Sequence, residues 1–103
     1  MTENRVKPAD CTTMAEVRHG VDRLDEEIAA RLAERFRYME AAARIKPDRD
    51  AVRDERRKAE VIAKVKATAA REGGPAARIA LLYDALVESS IAYEFERFDE
   101  RSG

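Results

Sequence analysis

Between Thr13 and Lys46 the chain carries one apolar stripe at helical spacing, with no proline and with Gly20 as its one glycine. At about 100° per residue, Val17, Val21, Leu24, Ile28, Leu32, Arg35, Met39, Ala42 and Lys46 fall within roughly 80° of arc. The stripe begins apolar and ends cationic, so two positive charges occupy places where core residues are expected. A guanidinium or ammonium in an apolar setting is costly unless an anion meets it. No acidic residue of this segment shares the arc, and the counter-charge has to come from elsewhere.

Thr13-Met14-Ala15-Glu16 matches a capping box, in which the Thr13 hydroxyl and the Glu16 carboxylate each serve the other's backbone amide. A helix from there to about Ile45 is roughly 50 Å long, against a radius of gyration near 13 Å for a compact domain of this size. The spacing therefore predicts a stripe that outruns a compact monomer, and a partner chain related by a two-fold axis is the commonest cover. Pro47 disfavours helix at Lys46 and opens a charged loop, Pro47 to Arg53. Asp54 is placed to cap a second helix whose apolar side is Val61, Ile62, Val65 and Ala69, stopped near Arg71 by Gly73-Gly74.

Gly74-Pro75 fits the N-cap and first positions of a third helix running to about Phe98. Its broad apolar face is Ile79, Leu82, Tyr83, Leu86, Val87, Ile91 and Phe98, interrupted by Ser90 and Glu94, which are four apart and share one surface. No strand-like alternation or repeat competes. The expected fold is all-α, with three helices per chain, residues 1–12 an N-terminal extension and 13–103 a single helical domain.

The first and third helices thus share an oddity: Arg35 and Lys46 on one, Ser90 and Glu94 on the other. A pocket accounts for both. Excess cations, with Arg57 on the first turn of the second helix able to join them, favour a small ligand with more than one carboxylate. The plainer alternatives are a buried salt bridge from Glu94 to one of the cations, or snorkelling of Arg and Lys to the rim.

Charge and composition narrow the classes. Charged residues are 40% and hydrophobic ones 45% of the 103 residues, with 20 basic and 21 acidic side chains giving a net charge of -1. That balance carries no basic footprint for nucleic acid. His19 is the one histidine, which removes histidine-based metal sites and a Ser-His triad. Cys11 stands alone, so no internal disulfide forms and a reducing compartment is the simpler expectation. No apolar run has signal-peptide or membrane-spanning character, and a cytoplasmic protein is expected.

Certain stretches carry a resemblance: Val17-Arg18-His19-Gly20-Val21-Asp22-Arg23-Leu24-Asp25, Leu32-Ala33-Glu34-Arg35, Ala43-Arg44-Ile45-Lys46, Val52-Arg53-Asp54 with Arg57, and Ser90 through Glu94. From Pro8 to about Phe98 the chain resembles the all-helical chorismate mutases of the AroQ class and the related isochorismate-pyruvate lyases. The resemblance implies an intertwined homodimer with two sites, each completed by the partner's first-helix arginine. Arg18 lies about 100° around and roughly 25 Å along the helix from Arg35, too far to share one small ligand with it. By the same resemblance, Arg18 of the partner and Arg35 bind substrate carboxylates, Arg57 adds a cationic contact, and Lys46 approaches the ether oxygen. Asp54 and Ser90 are further substrate-binding candidates; Asp54 reads equally as a cap, and Ser90 as a hydroxyl bonded back within its helix.

The implied reaction is the Claisen rearrangement of chorismate to prephenate, which needs no nucleophile, metal or redox cofactor. Catalysis then consists of holding the compact substrate conformer and stabilising charge on the ether oxygen. Two positions depart from the family pattern. Many relatives place a glutamine as second donor where Glu94 stands, and Glu94 donates only when protonated, so activity is expected to fall as rising pH removes that proton. Many mutases place an acid next to the Arg57 position to meet the substrate hydroxyl, but this chain has Lys58. That change, with the start Pro8-Ala9-Asp10-Cys11, leans toward the lyases, which release pyruvate from isochorismate to leave salicylate. The mutase is the favoured reading, the lyase the alternative, and a non-catalytic dimeric helical module the rival from another class.

Overall fold

The computed structural model describes residues 5–101. They form three α-helices, α1 (Met14–Ile45), α2 (Glu55–Arg71) and α3 (Ala76–Arg101), with 3₁₀ turns at Pro8–Asp10 and Arg49–Ala51. The chain is all-α as expected, with no strand among the described residues. None of the described helices is long and apolar enough to cross a membrane.

Each helix boundary has a local cause. At the start of α1 the Glu16 carboxylate accepts from the Thr12 and Thr13 amides at 2.8 and 3.1 Å, and the Thr13 hydroxyl accepts from the Glu16 amide at 3.1 Å. These backbone donors, Thr12 first, hold the Glu16 carboxyl below its usual range. Asp54 Oδ1 caps α2 by accepting from the Arg57 amide at 3.0 Å. At its other end Gly74 N donates to Ala69 O at 2.8 Å and Gly73 N to Ala70 O at 3.0 Å, a Schellman closure that needs the left-handed Gly73, φ 75°. Helix α3 starts one residue later than Gly74-Pro75 suggests: Pro75 is its cap, its carbonyl accepting from Ile79 N at 3.0 Å, and the helix runs on to Arg101.

The chain divides into two compact units, one ending at Arg35 and the other beginning at Phe36. In the first, the segment before α1 folds back on it. Arg5 Nη1 meets Glu27 Oε2 at 2.9 Å, and Val6, Pro8 and Cys11 face Val17, Val21 and Leu24 across an open cavity of about 380 Å³. The apolar stripe stays open to solvent in the single chain, with Val21 49% and Ile28 53% exposed.

The second unit holds the core: Ala43, Val52, Val87, Ile91 and Phe98, with Val61, Ile62, Tyr83 and Phe95 packed around them. Helix α2 lies along α3. The α3 face is narrower than its sequence suggests, for Leu82 is 69% exposed. It stands about 140° around the helix from Val87 and so points away from the core.

Candidate active site

Lys46 is the first residue past α1, its amide still bonded to Ala42 O at 2.9 Å. Pro47 then turns the chain, and a 3₁₀ turn capped by Asp48 brings Val52 back beneath the helix end. The Lys46 ammonium follows that return. Its Nζ donates to Val52 O at 3.2 Å and stands 2.6 Å from Glu94 Oε2 on α3. Glu94 is 4% exposed and lies in a wall of Val87, Ile91 and Phe98, all buried.

The contact between Lys46 and Glu94 is one of charge. Glu94 Oε2 is a buried side-chain oxygen that makes no hydrogen bond, so the ammonium approaches at an angle outside that of a directed bond despite its closeness. At 2.6 Å in a poorly solvated corner the attraction is substantial whatever the angle, and the oxygen keeps acceptor capacity to spare. Of the alternatives the wheel left open, the structure forms the buried salt bridge, with Lys46 as the cation.

Ser90, one turn before Glu94, is 2% exposed and its hydroxyl donates to Leu86 O at 2.7 Å. The structure therefore brings Lys46 and Glu94 together and sets Ser90 on the adjoining turn. Asp54 and Arg57 are exposed at the start of α2, Asp54 acting as its cap and Arg57 pairing with Glu60 at 3.4 Å. Arg18, exposed, and Arg35, half-buried, belong to the first unit.

Lys58 is tied to α3, its Nζ lying 2.6 Å from Glu88 Oε2 and 3.1 Å from Asp84 Oδ1. Arg53 shares Glu88, Nη2 to Oε1 at 2.7 Å, and also reaches Glu55 at 2.7 Å. Arg53 first, then Lys58, hold the Glu88 carboxyl down at about 2, and Glu88 in turn raises both cations. A second pairing joins α1 to α3: Tyr93 Oη donates to Glu40 Oε2 at 2.5 Å, which raises the phenol, while Phe36 meets the Tyr93 ring edge-on at 5.2 Å.

Sequence reasoning singled out neither Glu88 nor Tyr93. Charged and aromatic residues on a solvent-facing arc give no periodic signal, and their partners are fixed only by how the helices meet. Chemically, the Lys46 corner offers an ammonium and a buried carboxyl on an apolar wall, with the Ser90 hydroxyl one turn back along α3. Among the described residues no cluster of His, Cys, Asp or Glu is disposed to hold a metal.

Comparison with known proteins bears on this arrangement. The sequence model of the family described as chorismate mutase type II matches residues 17–95. An isochorismate pyruvate lyase from Pseudomonas aeruginosa is 40% identical over 45 residues, a stretch that is 44% of this chain and 45% of that enzyme. The matched stretch is thus less than half of either protein.

Proposed function

Since the chain belongs to the chorismate mutase type II family, we propose that it is itself a chorismate mutase, converting chorismate to prephenate. The observation that carries this reading is the Lys46 ammonium held 2.6 Å from a carboxyl buried in an apolar wall. In the rearrangement the ether C–O bond breaks as a C–C bond forms, and all atoms stay in the product. The developing negative charge sits on the ether oxygen, which is where Lys46 supplies a positive charge and a hydrogen bond. Glu94, on the apolar wall beside Lys46, is the second candidate contact to that oxygen. Arg35, together with Arg18 from a second copy of the chain, binds the carboxylates, and Arg57 adds positive potential at the mouth. Asp54 and Ser90 are the remaining candidate contacts.

A homodimer is part of this reading. The exposed Val17, Val21, Leu24 and Ile28 of α1 need a cover, and an Arg18 far along the same helix from Arg35 serves another copy's site. The lone Cys11 fits a reducing, cytoplasmic setting.

The second reading is isochorismate pyruvate lyase, the activity named for the Pseudomonas aeruginosa relative. Lys58 favours it, because it occupies the position after Arg57 where many mutases place the acid that meets the substrate hydroxyl. Incubating the protein separately with chorismate and isochorismate, and measuring prephenate against salicylate plus pyruvate, decides between them. Prephenate from chorismate, lost by at least a hundredfold in Arg35→Ala, is the expected result; a bidentate guanidinium contact on a substrate carboxylate is worth about that much. Salicylate alone moves the assignment to the lyase. Turnover of neither, or turnover unchanged in Arg35→Ala, leaves a non-catalytic helical module.

A further inference from the structure

The C-terminus of α1 has an unusual deficit. In a continuing helix the amide of residue 47 would donate to Ala43 O, but residue 47 is proline and has no amide hydrogen. Ala43 is 2% exposed, so water does not make up the missing bond. The donor comes instead from the last residue of α3. Arg101 Nη1 donates to Ala43 O at 2.8 Å, to Arg44 O at 3.2 Å and to Lys46 O at 2.8 Å, while Nη2 reaches Pro47 O at 3.5 Å. The guanidinium lies over the buried Phe98 ring, its carbon 3.9 Å from the ring centroid. A cation on the negative end of the α1 dipole is itself favourable.

We infer that Arg101 is a positioning residue for the reaction, holding the backbone of Lys46 so that its ammonium meets the reacting oxygen. This rests on the proposed function. Helix α3 grips Lys46 twice: Glu94 takes the ammonium, and two turns later Arg101 takes the carbonyl of the same residue. Only a planar, multi-donor side chain spans these carbonyls; a lysine offers one compact point of donation. Arg101 touches no reacting atom. Its effect is confined to where Lys46 stands.

The test compares Arg101→Lys and Arg101→Gln with the unaltered protein, using kinetics and amide hydrogen exchange. Loss of the clamp is expected to lower kcat by about ten- to a hundredfold, the range in which a displacement of about 1 Å acts on an oriented group. KM changes less than threefold, because carboxylate binding rests on other arginines. Arg101→Lys falls between Arg101→Gln and the unaltered protein. Amide protection drops at Lys46, Ala51 and Val52 but not at Val61 or Ile62. A purely structural role predicts the opposite pattern: kcat per folded molecule unchanged, with lower melting temperature and protection lost throughout. That pattern overturns the inference, as does unchanged protection at 46–52. Unaltered protein inert toward both substrates overturns the proposed function and with it any part for Arg101 in a reaction, while the exchange pattern reports separately on the clamp.

Discussion

Replacing Glu94 by glutamine separates two roles of one carboxyl, and moves stability and activity in opposite directions. The perturbation removes a charge that lies 2.6 Å from Lys46 and is 5% exposed at its side chain. Stripping one partner from a fully buried pair costs about 3–5 kcal/mol. Lys46 is 28% exposed and still has Val52 O to bond, and the new amide oxygen accepts as well. The expected loss is therefore nearer 1–2 kcal/mol, because Lys46 keeps a partner and part of its hydration. For a chain of this size that lowers Tm by about 5–15 °C. Activity is expected to move the other way. On the proposed function the side chain at 94 faces the ether oxygen, where an amide can donate a hydrogen bond and a carboxylate cannot, so Glu94→Gln is expected to raise kcat/KM by about tenfold. Chorismate loss followed by ultraviolet absorbance, well below either Tm, measures both proteins. A glutamine variant no faster than the unaltered protein refutes the reasoning.

Three further outcomes follow from contacts elsewhere. Glu88 titrates at about 2 against an ordinary 4.5, so its pairing with Arg53 and Lys58 contributes fully above about pH 4.5 and is lost as pH falls toward 2. Melting curves over that acid window should decline less steeply for Glu88→Gln, and equal slopes would remove Glu88 from the account. Gly73→Ala is expected to cost about 1–2 kcal/mol through backbone strain, since the added Cβ meets nothing within 4 Å at φ 75°; urea melts check it. Ile28→Lys, on the 53% exposed stripe of α1, should weaken self-association by about a hundredfold by sedimentation. The estimate is about 1.5 kcal/mol per chain counted twice across a two-fold axis, and an unchanged dissociation constant would place the interface elsewhere.

Residues that act on their own neighbours are legible in the amino-acid sequence alone. The Thr13 and Glu16 box, the Asp54 cap and the Gly73-Gly74 stop each fix a helix end through bonds spanning only a few residues, and each appears where its pattern put it. The buried Ser90 and Glu94 are legible too, because a polar side chain on an apolar arc stands out on a wheel. The breadth of the α3 face is not: Leu82 is apolar, but only packing determines which arc is covered. Partner choice is likewise hidden. A wheel offers Glu94 both Arg35 and Lys46, and it is the return of the 47–52 turn that sets Lys46 beside it. Arg101 looks like an ordinary charged residue near the end of a helix, although the proline at 47 already implies an unmet carbonyl at Ala43.

That missing amide ties two distant positions into one unit of inheritance. Pro47 and Arg101 are 54 residues apart, yet the worth of each depends on the other. A chain with alanine at 47 regains an N–H for the Ala43 carbonyl, and Arg101 then becomes partly dispensable. With proline in place, losing the arginine leaves a buried acceptor unmet. Substitutions here have an order of cost: giving up the proline first leaves the Ala43 carbonyl met, whereas losing the arginine first strands that buried acceptor.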